Sequence, residues 1–206
     1  MPAYTTFAPM LPLALTESHG ETMLNVAAVL VGTTVLGPGW RTAVWVQGCP
    51  FHCRGCIAPD WTAMKTASAF TVEDLARVAL SDERIDGLTL SGGEPMLQAI
   101  ALAEFVAAVR RQREINVICY SGYKRELLQS KSAPAGAQAL LDQVDVLIDG
   151  LYVETLNDNR GLRGSSNQRI HHITGKLAHF NFETAPRQVE IQIRSGYALA
   201  AGLPPR

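Results

Sequence analysis

Residues Gln47-Gly48-Cys49-Pro50-Phe51-His52-Cys53-Arg54-Gly55-Cys56 hold three of the chain's four cysteines, with the spacing C-x3-C-x2-C. Three thiolates on one short loop supply ligands to three irons of a [4Fe–4S] cluster and leave the fourth iron without a protein ligand. An iron left open in this way accepts a chelating small molecule, which points to chemistry rather than plain electron storage. Zinc is a competing reading, but it usually takes four ligands. Cys119 and His52 are the candidates for the fourth. Cys119 lies in an apolar run, where a buried free cysteine is ordinary. His52 sits inside the loop beside a ligand, where bending back is awkward. A four-cysteine electron-transfer cluster lacks its fourth cysteine nearby.

A second constellation is Ser91-Gly92-Gly93-Glu94-Pro95. Its two glycines let a ligand approach the backbone closely. Their carbonyls and the Glu94 carboxylate can accept hydrogen bonds from an ammonium group. Alone, the pentapeptide also reads as a simple turn; after a three-cysteine loop at the preceding strand end it is a strong signal. Ser121 and Gly122 end another strand on the same expected edge and are candidates for cofactor contact. Asp149 is similarly placed, with a capping or turn role as the alternative. Asn167, Gln168 and Arg169 read either as cofactor or partner contacts or as a solvated loop. His171 and His172 read as surface or loop residues. Trp40, Trp45 and Trp61 read as a shield for the cluster or as packing.

These residues need a scaffold, and the apolar pattern supplies one. Residues 24–31 form an apolar, partly β-branched run that reads as a buried strand. Gly37-Pro38-Gly39 marks a turn, and residues 42–46 a short strand entering the cysteine loop. Thr71 is a good N-cap for a helix over 72–80, with Asp74 completing a capping-box-like pattern. Further strands are expected at 87–90, 117–120, 144–148 and 189–193, with helices over 97–113 and around 137–141. This alternation predicts an α/β fold with parallel strands and crossover helices. Sites in such folds lie where strands end. The chain is short for eight strands, so the expectation is a partial, open parallel (β/α) barrel of about five or six strands.

With 206 residues, 47% hydrophobic and 18% charged, the composition is that of a globular domain with a sizeable core. Residues 21–206 read as one domain, behind an irregular N-terminal extension over 1–20. The net charge of −1 provides no electrostatic footprint for nucleic acid or an anionic membrane. No apolar run is long enough to cross a bilayer. The apolar residues from Met10 to Leu15 follow no basic start, unlike a signal peptide. Cysteines gathered in one loop do not form a disulfide framework, which fits a reducing, cytoplasmic location.

Together these features resemble the radical S-adenosylmethionine (SAM) superfamily. The cysteine loop matches its C-x3-C-x2-C motif, and Gly92-Gly93-Glu94-Pro95 matches its GGEP motif. Gly37-Pro38-Gly39 with Arg41, Gln47-Gly48-Cys49-Pro50, Gly55-Cys56 and Trp61 resemble the activases of anaerobic ribonucleotide reductase. So do the runs Asp145 to Gly150 and Arg163 to Arg169. Gly55 stands where many relatives carry an aromatic residue, as in this subgroup, and Ala58 replaces a usual asparagine. The resemblance covers residues 24–170. It implies Cys49, Cys53 and Cys56 as cluster ligands and Gly92, Gly93, Glu94, Ser121 and Asp149 as SAM contacts. It further implies reductive cleavage of SAM to a 5′-deoxyadenosyl radical that takes a glycine Cα hydrogen from a partner, a glycyl-radical enzyme. A flavodoxin-like or ferredoxin-like protein would supply the electron. Two alternatives stand beside this reading. One is a radical SAM enzyme acting on a small metabolite or peptide, because the shared motifs bind cofactor rather than substrate. The other is a noncatalytic iron–sulfur electron carrier, against which Gly93-Glu94 speaks.

Overall fold

The computed structural model describes residues 22–194 and 197–205. The extension expected over residues 1–20 lies outside the described residues. Four strands form a parallel centre: β2 (Arg41–Val46), β4 (Gly87–Gly92), β5 (Asn116–Ser121) and β6 (Val146–Asp149). Val46 pairs opposite Gly92, and Ser121 opposite Asp149, so the carboxyl ends of the strands gather at one edge. Each strand of β1 (Met23–Thr33), β3 (Ser68–Thr71) and β7 (Arg169–His172) is antiparallel to its neighbours. The order is β3-β1-β2-β4-β5-β6-β7, an open mixed sheet with four parallel strands rather than five or six. The short Gly-Pro-Gly turn explains part of the difference. Residues 34–40 are too few for the crossover that a parallel partner needs, so β1 and β2 pair antiparallel.

All six residues of β2 are buried, as expected for a parallel strand covered on both faces. Strand β1 instead alternates between buried and partly exposed positions. Helix α1 (Val72–Ala79) starts where expected: the Thr71 hydroxyl accepts a 3.0 Å bond from the Asp74 N–H. It buries Val72, Leu75, Ala76 and Ala79, one stripe at helical spacing. Helix α2 (Ala99–Arg110) follows a 3-10 turn over Pro95–Gln98, which takes up the first positions of the helix expected from residue 97. Short helices α3 (Arg125–Leu128) and α4 (Ala137–Leu141) lead into β6. Side chains from α1, α2 and α4 join Val44, Val46, Leu88, Leu90 and Val117 in one core.

Among the described residues, the other face of the sheet is covered without helices. The hairpin of β8 (Val189–Arg194) and β9 (Tyr197–Gly202) lays Leu199 and Ala201 on Leu30, Ala43 and Trp45. The late strand therefore exists, but among the described residues it pairs with β9 alone and not with the main sheet. Leu162, Leu177 and Phe182 cover Ile118, Val146 and Ile148.

On this same face the fully buried Arg41 guanidinium ties the starts of three strands together. It donates to Thr89 Oγ1 at 2.8 Å, to Pro38 O at 2.9 Å, and to Asn116 Oδ1 and Leu88 O. Gly87 makes room, since a Cβ there would lie 2.3 Å from Arg41 Nη1. Burial lowers the Arg41 pKa to about 10, with Asp86, Tyr120 and Asp145 opposing, so the group stays charged at neutral pH. Arg41→Met leaves several buried acceptors unpaired and should cost roughly 2–4 kcal/mol. Urea unfolding of the apoprotein checks this: the midpoint falls and the slope stays constant.

Candidate functional site

The carboxyl-terminal sheet edge brings together the predicted constellations. Beyond β2, the Gly48 N–H bonds Trp61 O at 2.9 Å and the Cys49 N–H bonds Thr62 O at 3.0 Å, closing the base of the cysteine loop. The loop is joined to the end of β4 by two further backbone bonds. Gly93 N–H reaches Val46 O, and Glu94 N–H reaches Gly48 O, both at 2.8 Å. Gly93 has to be glycine, because a Cβ would lie 2.1 Å from Gly48 O. Gly92 has φ +107°, a conformation glycine adopts without penalty. Asn25 and Gln98, which the sequence reading passed over, brace the same junction. Asn25 N–H donates to Gln98 Oε1 at 2.7 Å, and Gln98 Nε2 donates to Asn25 O and Gln47 O at 2.9 and 3.2 Å. The available signal was a lone amide within the apolar run of β1.

Glu94 is 1% exposed, and its carboxylate accepts from Met96 N–H at 2.9 Å, Ser121 Oγ at 2.9 Å and Gly122 N–H at 2.7 Å. Three donors leave about one lone-pair site of the carboxylate for a ligand. Glu94 and Ser121 are thus in direct contact, locking the ends of β4 and β5. Phe51 of the cysteine loop stands edge-on to Tyr123 at 4.8 Å. It also lies over Gly122, where a Cβ would be 2.5 Å from its ring.

Asp149 is fully buried at the end of β6. It accepts from Arg125 N–H at 2.6 Å and from Arg169 at 3.0 and 2.6 Å, and His171 Nε2 lies 3.1 Å away. Burial alone would raise its carboxyl. Hydrogen bonds from Arg169 and Arg125 N–H, with the charges of His171 and Arg169, hold it below the ordinary carboxylate range. Arg169 also grips Glu126 with two bonds of 2.7 Å. Arg169 and both histidines belong to strand β7 rather than to a loop, and His172 stacks edge-on with Phe182 at 5.6 Å.

The 163–168 segment spends its polar groups on the loop after β6. Ser165 Oγ accepts from Val153 N–H at 3.1 Å, Asn167 Nδ2 donates to Leu151 O at 2.8 Å, and Gln168 Nε2 donates to Gly150 O at 2.8 Å. Arg187 holds the next stretch, donating to Asn157 Oδ1 at 2.7 Å, Gly161 O at 3.2 Å and Arg163 O. Two tryptophans, Trp45 and Trp61, pack together at 5.4 Å under the cysteine loop. Trp40 does not shield this site: its indole bonds Asp82, beyond the opposite ends of the strands. Cys119 is buried in the helix-side core and His52 is exposed.

Residues 35–171 match the family described as a 4Fe-4S single cluster domain. A Salmonella typhimurium anaerobic ribonucleoside-triphosphate reductase-activating protein is 34% identical over 149 residues, 68% of this chain and 92% of the relative. The protein of the same description from Vibrio cholerae is 36% identical over the same shares, and that of phage T4 is 33% identical over 66% of this chain and 86% of its own. The chain belongs to the radical SAM activating-protein family. The cofactors of this radical SAM enzyme are a [4Fe–4S] cluster and SAM.

The donor set fits the cluster. Cys49, Cys53 and Cys56 are all half-buried on one loop. Burial pushes the Cys49 thiol up to about 11, a hydrogen bond from Phe51 opposes this, and the charges of Glu94, Cys56 and Cys53 add to it. Burial likewise raises Cys56. Such crowded thiols gain from a cation that replaces their protons. Among the described residues, no three His, Cys, Asp or Glu side chains converge on a single-ion site. A cluster asks less convergence, because each thiolate meets its own iron. No helix among the described residues is long and apolar enough to cross a membrane.

Two outcomes test this radical SAM site. After anaerobic reconstitution, Ala at Cys49, Cys53 or Cys56 should abolish the brown iron–sulfur absorption, whereas Cys119→Ala should retain it. Burial, against hydrogen bonds from Met96, Gly122 and Ser121, raises the Glu94 carboxyl from 4.5 to about 7. The folded apoprotein then holds a proton that the unfolded chain releases. Its stability should fall as pH rises from 4.5 to 7 and level off above, by up to roughly 3 kcal/mol. Glu94→Gln should remove that slope in urea titrations across this range.

Proposed function

We propose that this enzyme cleaves SAM reductively at a cluster ligated by Cys49, Cys53 and Cys56 and installs a glycyl radical on a partner protein. The proposed partner is an anaerobic ribonucleoside-triphosphate reductase, the protein activated by the relatives according to their names. The observation that carries the proposal is the fusion of the cysteine loop with Gly92-Gly93-Glu94 through the Gly93 and Glu94 backbone bonds. In this reading the junction sets the three cysteines beside the Gly92-Gly93 main chain. Held by Cys49, Cys53 and Cys56, a cluster reduced by an external one-electron donor would supply the electron for reductive cleavage of the SAM sulfonium and so the radical chemistry directed at substrate.

The chain's own residues bind and orient. In this reading Gly92 and Gly93 offer main-chain carbonyls, and the remaining lone pair of Glu94 accepts from the SAM ammonium. Ser121 holds the Glu94 carboxylate in place by its 2.9 Å bond. Asp149 acts at one remove, by fixing Arg169 and the start of α3 beside the site. Phe51 against Tyr123 excludes water from one wall. Exposed Ile57, Met64, Leu151, Val153 and Leu156 stand on the two loops flanking the cysteines. Apolar groups gathered on a surface favour a protein partner over a small metabolite. The open sheet, read as an incomplete (β/α) barrel, leaves a side through which a partner's loop can enter. A flavodoxin-like or ferredoxin-like donor in the cytoplasm completes the reading.

The test is anaerobic incubation of reduced, cluster-loaded protein with SAM and the reductase. The expected result is 5′-deoxyadenosine together with a glycyl doublet in electron paramagnetic resonance. The doublet splitting should collapse when the glycine α-hydrogen is deuterium. SAM cleavage with turnover of a metabolite and no protein radical would move the reading to a small-molecule substrate. No cleavage by fully loaded, reduced protein would overturn it.

A further inference from the structure

The three cysteines do not share one support. The Cys49 end of the loop is bonded to Trp61 O and Thr62 O, and the middle rests on Phe51 against Tyr123. The turn carrying the third cysteine has one internal backbone bond, Cys56 N–H to Cys53 O at 3.2 Å, and its Gly55 has φ +72°. This turn is met from outside by Glu154. A Cβ on Gly55 would lie 2.9 Å from Glu154 Cδ and 3.0 Å from Oε1. Glu154 Oε2 is 3.3 Å from Arg54 Nε. The Arg54 side chain is 94% exposed and that of Glu154 36%, so water screens this ion pair and it serves orientation more than energy.

Glu154 is itself held from behind. It opens a 3-10 turn over Glu154–Leu156. The flanking Val153 N–H bonds buried Ser165 at 3.1 Å, and Leu156 O accepts from Ser166 N–H at 2.8 Å. A strut therefore runs from the 163–168 scaffold through Glu154 to the glycine that precedes Cys56.

We propose that Glu154 is a positioning residue that latches the loop after β6 onto the Arg54-Gly55-Cys56 turn and so holds the third cysteine in place for the cluster. The proposal rests on Cys56 being a cluster ligand. It also accounts for glycine at position 55: any side chain there meets the latch as well as an unfavourable φ.

The test compares Glu154→Ala, Glu154→Gln and Gly55→Ala, with the double variant Gly55→Ala/Glu154→Ala. In holoprotein, bleaching by an iron chelator follows cluster loss. Glu154→Ala should speed it roughly two- to fivefold. Glu154→Gln keeps the volume and an acceptor for Arg54, and it should restore near wild-type retention. The double variant should lose cluster more slowly than independent effects predict, because its collision partner is gone. In apoprotein, amides 53–57 should exchange with deuterium faster in Glu154→Ala than in wild type. Wild-type retention and exchange in Glu154→Ala, Gln behaving as Ala, or strictly independent effects of the two sites would each overturn the latch. If wild-type protein took up no cluster, the ligand reading would fail instead, and exchange in the apoprotein would still decide the latch.

Discussion

Two backbone hydrogen bonds, Gly93 N–H to Val46 O and Glu94 N–H to Gly48 O, extend the pairing of β2 and β4 past the ends of the strands. Everything at the site edge depends on them. They need backbone in contact with backbone, which Gly93 permits and a Cβ would prevent. They bring Glu94 inward, where its carboxylate reaches Ser121 and Gly122 at the end of β5. Pro95 then follows at once and opens the turn into α2. One junction thus sets the cysteine loop, the glycine pair and the start of the crossover helix, so none of these can shift alone.

The two ends of the parallel strands are built differently. At the amino-terminal edge, Arg41 meets buried acceptors on neighbouring segments and is sealed from water, an arrangement that stiffens the sheet. At the carboxyl-terminal edge, the polar groups belong to loops with half-buried thiols and glycines of positive φ. The division follows from parallel pairing. It places all the strand-to-helix turns at one edge, where backbone groups are left over to meet a ligand.

Irregular segments carry as much of the architecture as the helices do. The stretch from Gly150 to Gln168 has little regular structure, so side chains must satisfy its backbone groups. Ser165, Asn167 and Gln168 do this for the loop after β6, and Arg187 does it for the turns that follow. The outcome is a segment tied by its own side chains beside the cysteine loop. Two of its apolar members, Leu151 and Val153, face outward.

Local pattern in the sequence was enough for the cysteine spacing, the Gly92 to Pro95 turn, the Thr71 cap and the strands that lead into them. These features are written within a few consecutive residues, and their physical demands are local: a ligand spacing, a positive φ, a capping oxygen. The strands β3 and β7 and the helix α3 were not legible, because four residues are too few to display a period. Strand direction at the sheet margins and the separate pairing of β8 with β9 were likewise undecided, since periodicity says which face is apolar and not which neighbour covers it. The fates of Asp149, Arg169, Asn167 and Gln168 lay further out of reach. Their types admit ligand, cap or scaffold equally, and the partners they meet, Arg169 against Asp149 and Gln168 against Gly150, are set only by folding. Chemistry that resides in residue type and short spacing was determined by the sequence itself. Roles that depend on which distant donor meets which acceptor were decided by the tertiary structure, because a hydrogen bond is specified by distance and angle between groups that the chain order leaves far apart.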